Sequence, residues 1–290
     1  MLEIKIDNNF LVLDEVSARN EGLKNHSNYT SAPEYGHIVI DNFLPEDIAT
    51  EIMTKFPVES RSRDVRFQSG KFENNKRQIS PYNCSSSILN YFLFFNSAPF
   101  IDYLENLTGI KGLIADHHFG GGGFHETSNG GKLGVHADFR IHPKLKAHRR
   151  LNVIIYLNKE WKTEWKGQLE LWSTDMKTLL SSIDPIFNRC IIFNTERNAF
   201  HGHPEPLDTP EGITRKSMAL YYYTASDHVF SEESNISTVF KARPNDSDFD
   251  KLRSLLQNIQ ERYFSLGQWM PPILYYSLRS IRKKLKGDIK

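Results

Sequence analysis

The stretch "GVHADF" (134–139) places an imidazole and a carboxylate two residues apart, at His136 and Asp138. Positions i and i+2 of a strand point to the same face, so both polar groups should project together. The alternate apolar residues are then expected to pack on the other side: Val135, Ala137 and Phe139. Either a metal site or a hydrogen-bonded surface pair would account for this pattern.

A third ligand is available in "AFHGHPEP", at His201 or His203. Two histidines and one carboxylate form a facial triad, which leaves three adjacent positions on Fe(II) open for a chelating cosubstrate and O₂. A His-x-Asp pair is short and common, so this interpretation needs support from elsewhere in the chain.

That support comes from "RKSMALYYYT", which begins at Arg215. Alternation puts every second residue of this run on one face: Arg215, Ser217, Ala219 and Tyr221. A guanidinium with a neighbouring hydroxyl can clamp a carboxylate through paired hydrogen bonds. A dicarboxylate such as 2-oxoglutarate could chelate iron at one end and meet Arg215 at the other. The competing interpretation is an ordinary surface arginine at the start of a strand.

The first part of the chain is predicted to supply helical support. Residues 1–34 read as a polar, irregular extension, and residues 37–57 read as a short strand followed by a helix. Residues 58–85 have few periodic apolar positions and read as a long loop. Residues 86–109 read as two helical pieces that are broken near Pro99 and end at a glycine.

From about residue 112 the pattern changes to short strand-like runs, separated by turn-rich segments such as "GGGGFHETSNGG". The last 45 residues turn helical again. This order favours a mainly β protein with supporting helices (α+β), built on an antiparallel double sheet or barrel.

Several segments, in this order, resemble the prolyl 4-hydroxylase-like 2-oxoglutarate/Fe(II) dioxygenases: "GGKLGVHADF", "RRLNVIIYLN", "GQLELW", "NRCIIFNT", "FHGHPEPL" and "RKSMALYYYT". The resemblance implies a double-stranded β-helix core, also called a jelly roll or cupin-like fold. It further implies a catalytic domain at 35–230, preceded by an extension at 1–34 and followed by a helical segment at 231–290.

Residue by residue, the resemblance makes His136, Asp138 and His201 the metal ligands and leaves His203 as their neighbour. Arg215 would hold the distal carboxylate of 2-oxoglutarate, and three residues would assist it: Ser217, Tyr156 and Tyr221. The implied cofactors are Fe(II), 2-oxoglutarate and O₂, with ascorbate as an optional reductant.

The resemblance implies hydroxylation of an unactivated C–H bond, with a prolyl or other peptidyl side chain as the first candidate substrate. A small metabolite or a glycan-linked group remains an alternative. Two rival classes share the fold, a non-catalytic cupin-like binding module and a metal-dependent isomerase, but neither needs both a triad and an arginine clamp.

Other polar groups near these motifs have two interpretations each. His117, His118 and His125 flank "FGGGG" and could line the substrate mouth or simply occupy a loop. Arg149 and Arg150 could enter the pocket or remain on the surface. The glycine run lacks the lysine and helix of a phosphate loop, so nucleotide binding is not expected.

Composition sets broad limits. The chain has 290 residues, 39% of them hydrophobic and 24% charged, with a net charge of +1. This balance is typical of a globular protein that can bury a core, and it argues against nucleic acid as a partner. Two cysteines, no recognisable signal peptide and no long apolar stretch favour a cytoplasmic protein.

The C-terminal residues 273–290 combine an apolar stripe with basic charge. The stripe consists of Leu274, Leu278, Ile281 and Leu285. The segment also contains six lysines and arginines but only one acidic residue, Asp288. This pattern is typical of a helix that lies on an anionic membrane as a peripheral contact. The alternatives are packing on the catalytic domain, a homodimer contact or an acidic partner.

Overall fold

A computed structural model describes residues 2–8, 10–58, 64–68, 70, 72–195, 198–225 and 238–266 of the chain. Two curled antiparallel sheets share one long strand, β7 (Gly123–Ala137). The first half of β7 pairs with β13 (Arg215–Thr224), and its second half pairs with β12 (Phe200–His203). The predicted double-stranded β-helix is therefore confirmed.

Two strands near the N-terminus, β1 (Ile4–Asp7) and β2 (Phe10–Leu13), form a separate two-stranded sheet. The remaining strands complete the two curled sheets and their borders: β3 (His37–Ile40), β4 (Val65–Phe67), β5 (Glu73–Ile79), β6 (Ile114–Ala115), β8 (His148–Tyr156), β9 (Leu169–Trp172), β10 (Leu179–Ile183), β11 (Cys190–Asn194) and β14 (Val239–Phe240). The α-helices are α1 (Glu15–Thr30), α2 (Glu46–Thr54), α3 (Ser86–Phe95), α4 (Ala98–Thr108) and α5 (Asp248–Leu266).

Strand order separates a larger from a smaller sheet. The larger runs β7-β13-β8-β11-β3, with β5 on the other side of β7, and the smaller runs β7-β12-β9-β10. Because β7 belongs to both, residues at its two ends face one interior from different sheets. This shared strand is what brings distant segments of the chain to a single pocket.

Alternation along the strands divides the core from the pocket. On β13, Met218, Leu220 and Tyr222 are buried against the helices, in the cluster that contains Phe92 and Phe100. The opposite face of β13 contributes Arg215, Ser217 and Tyr221 to the pocket. The period-two pattern predicted from the sequence is thus confirmed on this strand.

The bend in β7 falls at a glycine pair. A Cβ at Gly131 would lie 2.5 Å from Thr127 Cγ2 and 2.7 Å from the Ser128 carbonyl oxygen, so only glycine fits there without a shift. The turn-rich segment predicted for "GGGGFHETSNGG" is wrong from Gly123 onward. These residues belong to β7, and Gly123–Thr127 pair with β13, while Phe124–Thr127 also pair with β5.

The predicted loop at 58–85 also contains strands. β5 pairs with β7 over most of its length, although its sequence, "ENNKRQI", has almost no apolar alternation. One face of β5 borders the polar pocket and the other meets charged groups, so the usual hydrophobic signal of a strand is missing.

The N-terminal residues are helical rather than irregular. α1 packs on α4 through small side chains: Ala18 is fully buried, and a Cβ at Gly22 would lie 2.6 Å from the Tyr103 carbonyl oxygen. The His26 ring also bonds the Leu107 carbonyl oxygen, at 3.0 Å. Contact through small residues leaves no broad apolar stripe, which is why the sequence pattern did not reveal this helix.

The two helical pieces predicted at 86–109 are confirmed. α3 and α4 are separated at Asn96–Ser97, and α4 ends at Gly109 in the left-handed conformation, with φ of 76°. Among the helices of the described residues, none is both long enough and apolar enough to cross a membrane. The C-terminal segment 273–290 lies outside the described residues.

Candidate metal and cosubstrate site

The three predicted metal ligands meet at the junction of the two sheets. His136 is near the end of β7, Asp138 follows that strand directly, and His201 is the register partner of His136 on β12. One ligand atom from each side chain lies within 4.8 Å of the others. The structure therefore brings together residues that are more than sixty positions apart in the sequence.

Backbone carbonyls orient both histidines. Nδ1 of His136 lies 2.9 Å from the Gly134 carbonyl oxygen, and Nδ1 of His201 lies 3.0 Å from the Ala199 carbonyl oxygen. Each Nδ1 therefore carries the proton, and each Nε2 is left with a lone pair. Both Nε2 atoms lie 3.5 Å from the carboxylate oxygens of Asp138, so the lone pairs and the carboxylate face one another.

The charge states of this cluster suit a divalent cation. Burial lowers the pKa of His201 to about 4, which keeps the ring neutral near pH 7. Burial alone would raise the pKa of Asp138, but Arg149 and the two imidazoles outweigh it and hold that pKa well below its usual range. A metal ion needs deprotonated ligands, and these two shifts favour the deprotonated forms of His201 and Asp138 at neutral pH.

The donor set also fits Fe(II) in chemical type. Imidazole nitrogen and carboxylate oxygen are suitable ligands for iron, and three protein donors leave positions for a cosubstrate and O₂. Each imidazole is fixed by a hydrogen bond to a carbonyl, the orientation that metal-binding histidines require.

Arg215 closes the other end of the pocket. Its Nε donates to the Gly167 carbonyl oxygen at 2.8 Å, and Nη2 donates to the Tyr156 hydroxyl at 3.2 Å. The side chain is almost fully buried yet borders the cavity. These two bonds fix the guanidinium while leaving part of its fork for a carboxylate.

Ser217 and His125 stand beside Arg215 on adjacent strands. Ser217 is the register partner of His125 on β7 and of Tyr156 on β8, and it is almost completely buried. His125 lines the pocket, with Nε2 held by the Gly121 carbonyl oxygen at 2.9 Å. The structure thus brings together three predicted cosubstrate residues: Arg215, Ser217 and Tyr156.

Tyr221 is not brought to Arg215. The two residues lie about 20 Å apart along β13, at roughly 3.3 Å per residue. The Tyr221 hydroxyl donates to the Gly121 carbonyl oxygen at 3.1 Å, and its ring lies 3.6 Å from the Arg149 guanidinium carbon. Tyr221 does lie on the same face of β13 as Arg215, as predicted. The strand is too long, however, for both residues to contact the same end of one cosubstrate.

His203 lies inside the pocket lining, between the two ends. It is 3% exposed, and its Nδ1 has no hydrogen-bond partner among the described residues. Burial, followed by the charge of Arg215, holds the pKa of His203 well below its usual range. The ring is therefore a neutral polar group facing the cavity, and it lies outside the three-ligand cluster.

Two residues at the metal end were not assigned from the sequence. Arg149 forms an ion pair with Asp138, with Nη2 2.9 Å from Oδ2, and Asn152 donates a hydrogen bond to the same oxygen at 2.9 Å. Of the two arginines predicted either to enter the pocket or to stay on the surface, Arg149 lines the pocket. Arg150 is only partly buried and approaches Thr224. Asn152 shares the inward face of β8 with Tyr156, so alternation carried a signal for it.

The structure also shows where Phe139, His117 and His118 lie relative to the pocket. Phe139 does not join Val135 and Ala137 on the opposite face, because β7 ends at Ala137; it lines the pocket instead. His117 and His118 are exposed and are not among the residues that line the pocket; the His118 ring stacks near His142.

The wall opposite the triad comes from the unpredicted strand β5. Lys76 lies in register with Thr127 of β7, which in turn faces Arg215 of β13. Its Nζ is 3.0 Å from a carboxylate oxygen of Glu73, and both side chains line the cavity. The pocket therefore presents an oppositely charged pair apart from the residues of the metal and cosubstrate ends.

Comparison with known proteins agrees with this geometry. Residues 122–223 match the model of the 2OG-Fe(II) oxygenase superfamily. A search of curated proteins finds no match.

Solved structures share the fold at low identity. A prolyl hydroxylase from Trichoplax adhaerens, in complex with a hypoxia inducible factor peptide fragment, is 18% identical; the alignment covers 72% of this chain and 91% of that one, with a TM-score of 0.52. The epimerase SnoN from nogalamycin biosynthesis is 11% identical over 79% and 88%, with a TM-score of 0.50. A Pseudomonas putida prolyl-4-hydroxylase is 15% identical over 70% and 98%, with a TM-score of 0.48.

Residues 122–223 thus match the 2OG-Fe(II) oxygenases, enzymes that use Fe(II), 2-oxoglutarate and O₂, and the fold around this segment resembles that of the prolyl hydroxylase from Trichoplax adhaerens. The matched segment contains all three residues of the ligand cluster, His136, Asp138 and His201.

Proposed function

We propose that this enzyme hydroxylates an unactivated C–H bond, with His136, Asp138 and His201 as the iron ligands and Arg215 as the clamp for 2-oxoglutarate. The observation that carries the proposal is the convergence of both Nε2 atoms on Asp138 in a pocket that also contains the Arg215 guanidinium. A binding module would need neither group.

The protein's own residues divide the work between the two ends of the pocket. His136 and His201 offer their Nε2 atoms as ligands because carbonyl oxygens accept from their Nδ1 atoms. Arg215, fixed by Gly167 and Tyr156, orients the cosubstrate by binding its distal carboxylate. When bound, Fe(II) and 2-oxoglutarate activate O₂ for C–H oxidation, with succinate and CO₂ as the other products.

The presence of Asp138 supports hydroxylation as the outcome. A small residue at the carboxylate position would free a coordination site for another anion, whereas a carboxylate keeps the three remaining positions for cosubstrate and O₂.

A peptidyl side chain, with proline first, is our first candidate substrate. The support is the likeness in fold to the Trichoplax prolyl hydroxylase, whose structure contains a peptide. Aromatic rings around the metal end would provide apolar contact for a pyrrolidine ring: Phe139, Tyr221 and Phe240.

A small polar molecule is a second candidate, favoured by the charged pair on β5. Lys76 is only 10% exposed and Glu73 24% exposed in their side chains, so both are held at the cavity wall. An opposed ammonium and carboxylate suit a ligand that carries both charges or many hydroxyl groups.

Succinate formation tests the reaction class, and a mass search tests the substrate. Purified protein with Fe(II), 2-oxoglutarate and O₂ should release succinate, and an Asp138→Ala variant should not. Incubation with a cell extract, a proline-containing peptide library and a pooled set of small metabolites should give a product heavier by one oxygen atom. Products confined to the metabolite pool would replace the peptide candidate with the second one.

A further inference from the structure

Two side chains outside the ligand cluster, Arg149 and Asn152, hold Asp138. Arg149 Nη2 and Asn152 Nδ2 both lie 2.9 Å from Oδ2. Arg149 also donates to the Asn152 amide oxygen, at 2.7 Å from Nη2 and 3.2 Å from Nε. The three side chains are therefore linked in a closed group by one ion pair and by hydrogen bonds, and both contacts to the carboxylate go to one oxygen, Oδ2.

The arginine in this ring is locked in place. Its side chain is 1% exposed, and the guanidinium lies between two aromatic rings, with its central carbon 3.6 Å from the Tyr221 centroid and 4.7 Å from the Phe139 centroid. Stacking and ion pairing together leave it one arrangement. A buried arginine with no other carboxylate partner among the described residues is suited to position Asp138.

The two carboxylate oxygens consequently have different surroundings. Each oxygen lies 3.5 Å from one imidazole, Oδ1 from His136 Nε2 and Oδ2 from His201 Nε2, but only Oδ2 is also paired with Arg149 and accepts a hydrogen bond from Asn152. A carboxylate can bind a cation through one oxygen or through both. Donors that occupy Oδ2 favour binding through Oδ1 alone.

We infer that Arg149 and Asn152 are positioning residues that restrict Asp138 to one metal-bound oxygen and thereby keep the O₂ position open. This inference rests on the proposed function. A triad with a one-oxygen carboxylate leaves three positions on iron, of which 2-oxoglutarate takes two and O₂ the last. A carboxylate bound through both oxygens would fill the O₂ position while still allowing iron and 2-oxoglutarate to bind.

The test uses nitric oxide, which occupies the O₂ position of an Fe(II) site and gives a characteristic electron paramagnetic resonance signal. Full-length protein is loaded anaerobically with Fe(II) and 2-oxoglutarate and titrated with nitric oxide. We expect the Arg149→Met variant to bind Fe(II) and 2-oxoglutarate within about threefold of the wild type and to lose at least tenfold in nitric oxide affinity. Arg149→Lys, which keeps a charged donor for Oδ2, should recover most of that affinity.

Asn152→Leu provides a second route to the same answer, because it removes one donor and keeps the cation. It should lose nitric oxide affinity by a smaller factor. Equal nitric oxide affinity in the wild type, Arg149→Met and Asn152→Leu would overturn the inference, and so would loss of Fe(II) binding in both variants, since all three ligands remain. Failure of the wild type to bind Fe(II) or 2-oxoglutarate would instead overturn the proposed function.

Discussion

At the residue scale, two carbonyl oxygens determine which nitrogen each histidine offers. Gly134 and Ala199 accept the Nδ1 protons of His136 and His201, so both Nε2 atoms face Asp138 without any change of rotamer. The site is organised before a cation arrives, and the cost of ordering the ligands is met during folding.

Single replacement of His136, Asp138 or His201 by Ala should therefore abolish Fe(II) binding and 2-oxoglutarate turnover, since each supplies one of three ligands. His203→Ala is the matched control, because His203 is equally buried on the same strand as His201 but lies outside the ligand cluster. Calorimetric titration with Mn(II) or Co(II) measures the effect. A His203→Ala protein that loses the metal while His201→Ala retains it would show that the ligand assignment is wrong.

Arg215→Ala should weaken 2-oxoglutarate binding while leaving metal affinity nearly unchanged. Loss of a hydrogen bond between charged groups costs about 1.5–3 kcal/mol, which corresponds to roughly a ten- to hundredfold rise in the dissociation constant. Lys216→Ala, one position along the same strand and on its other face, is the control. An unchanged 2-oxoglutarate affinity in Arg215→Ala would show that Arg215 does not bind the distal carboxylate of 2-oxoglutarate.

The metal end was predictable from the sequence because two simple rules apply to it. Alternation fixes which residues share a face, and a closed double sheet brings late strands next to early ones. The same rules could not place Tyr221, since they give a face but not a distance. They also could not decide Arg149, because a strand's first residues can face either solvent or pocket.

At the element scale, the sequence did not predict α1 and β5. The packing of these two elements does not depend on a stripe of hydrophobic residues. α1 contacts α4 through Ala18 and Gly22, and β5 joins the sheet through backbone pairing beside a polar pocket. The helices α3 and α4 and the strands β8 and β13 were predicted because their apolar residues repeat at the expected period.

Gly22→Ala tests the close packing of α1. Alanine in a helix gains about 1 kcal/mol over glycine, but its Cβ would lie 2.6 Å from a backbone oxygen that no side-chain rotation can move. Overpacking of this kind costs about 1–3 kcal/mol, so we expect a net fall in the free energy of unfolding of up to about 2 kcal/mol.

Asn28→Ala, at an exposed position of the same helix, should change stability by only a few tenths of a kcal/mol. Urea denaturation at constant slope compares the two variants with the wild type. A Gly22→Ala protein more stable than the wild type would mean that α1 does not pack closely on α4.

At the scale of the whole molecule, the site depends on the topology rather than on any one segment. His201 is on β12 and Arg215 is on β13, and these two strands pair with different halves of β7. The order of the strands, which the family resemblance implied, is what places a metal end and an arginine end in one cavity. The alternation of side chains along each strand does not by itself show that the proposed metal ligands and Arg215 line the same cavity.

The C-terminal tail provides the prediction for the intact chain. If residues 273–290 form a basic amphipathic helix that contacts membranes, the full-length protein should co-sediment with vesicles of anionic lipid, since each basic residue adds about 1 kcal/mol near such a surface. A chain ending at Gln268 should stay in the supernatant, salt should weaken the binding, and neutral vesicles serve as the control. If the full-length and shortened chains both remain in the supernatant at low salt, the tail is not a membrane contact.

The most direct measurement of the central claim is the visible absorption of the protein under anaerobic conditions with Fe(II) and 2-oxoglutarate. Chelation of Fe(II) by the keto acid produces a charge-transfer band that neither component gives alone, and it requires no knowledge of the substrate. We predict the band in the wild type, its loss in Asp138→Ala, and its appearance only at higher 2-oxoglutarate concentration in Arg215→Ala. A wild-type protein without the band at saturating Fe(II) and 2-oxoglutarate would contradict the account.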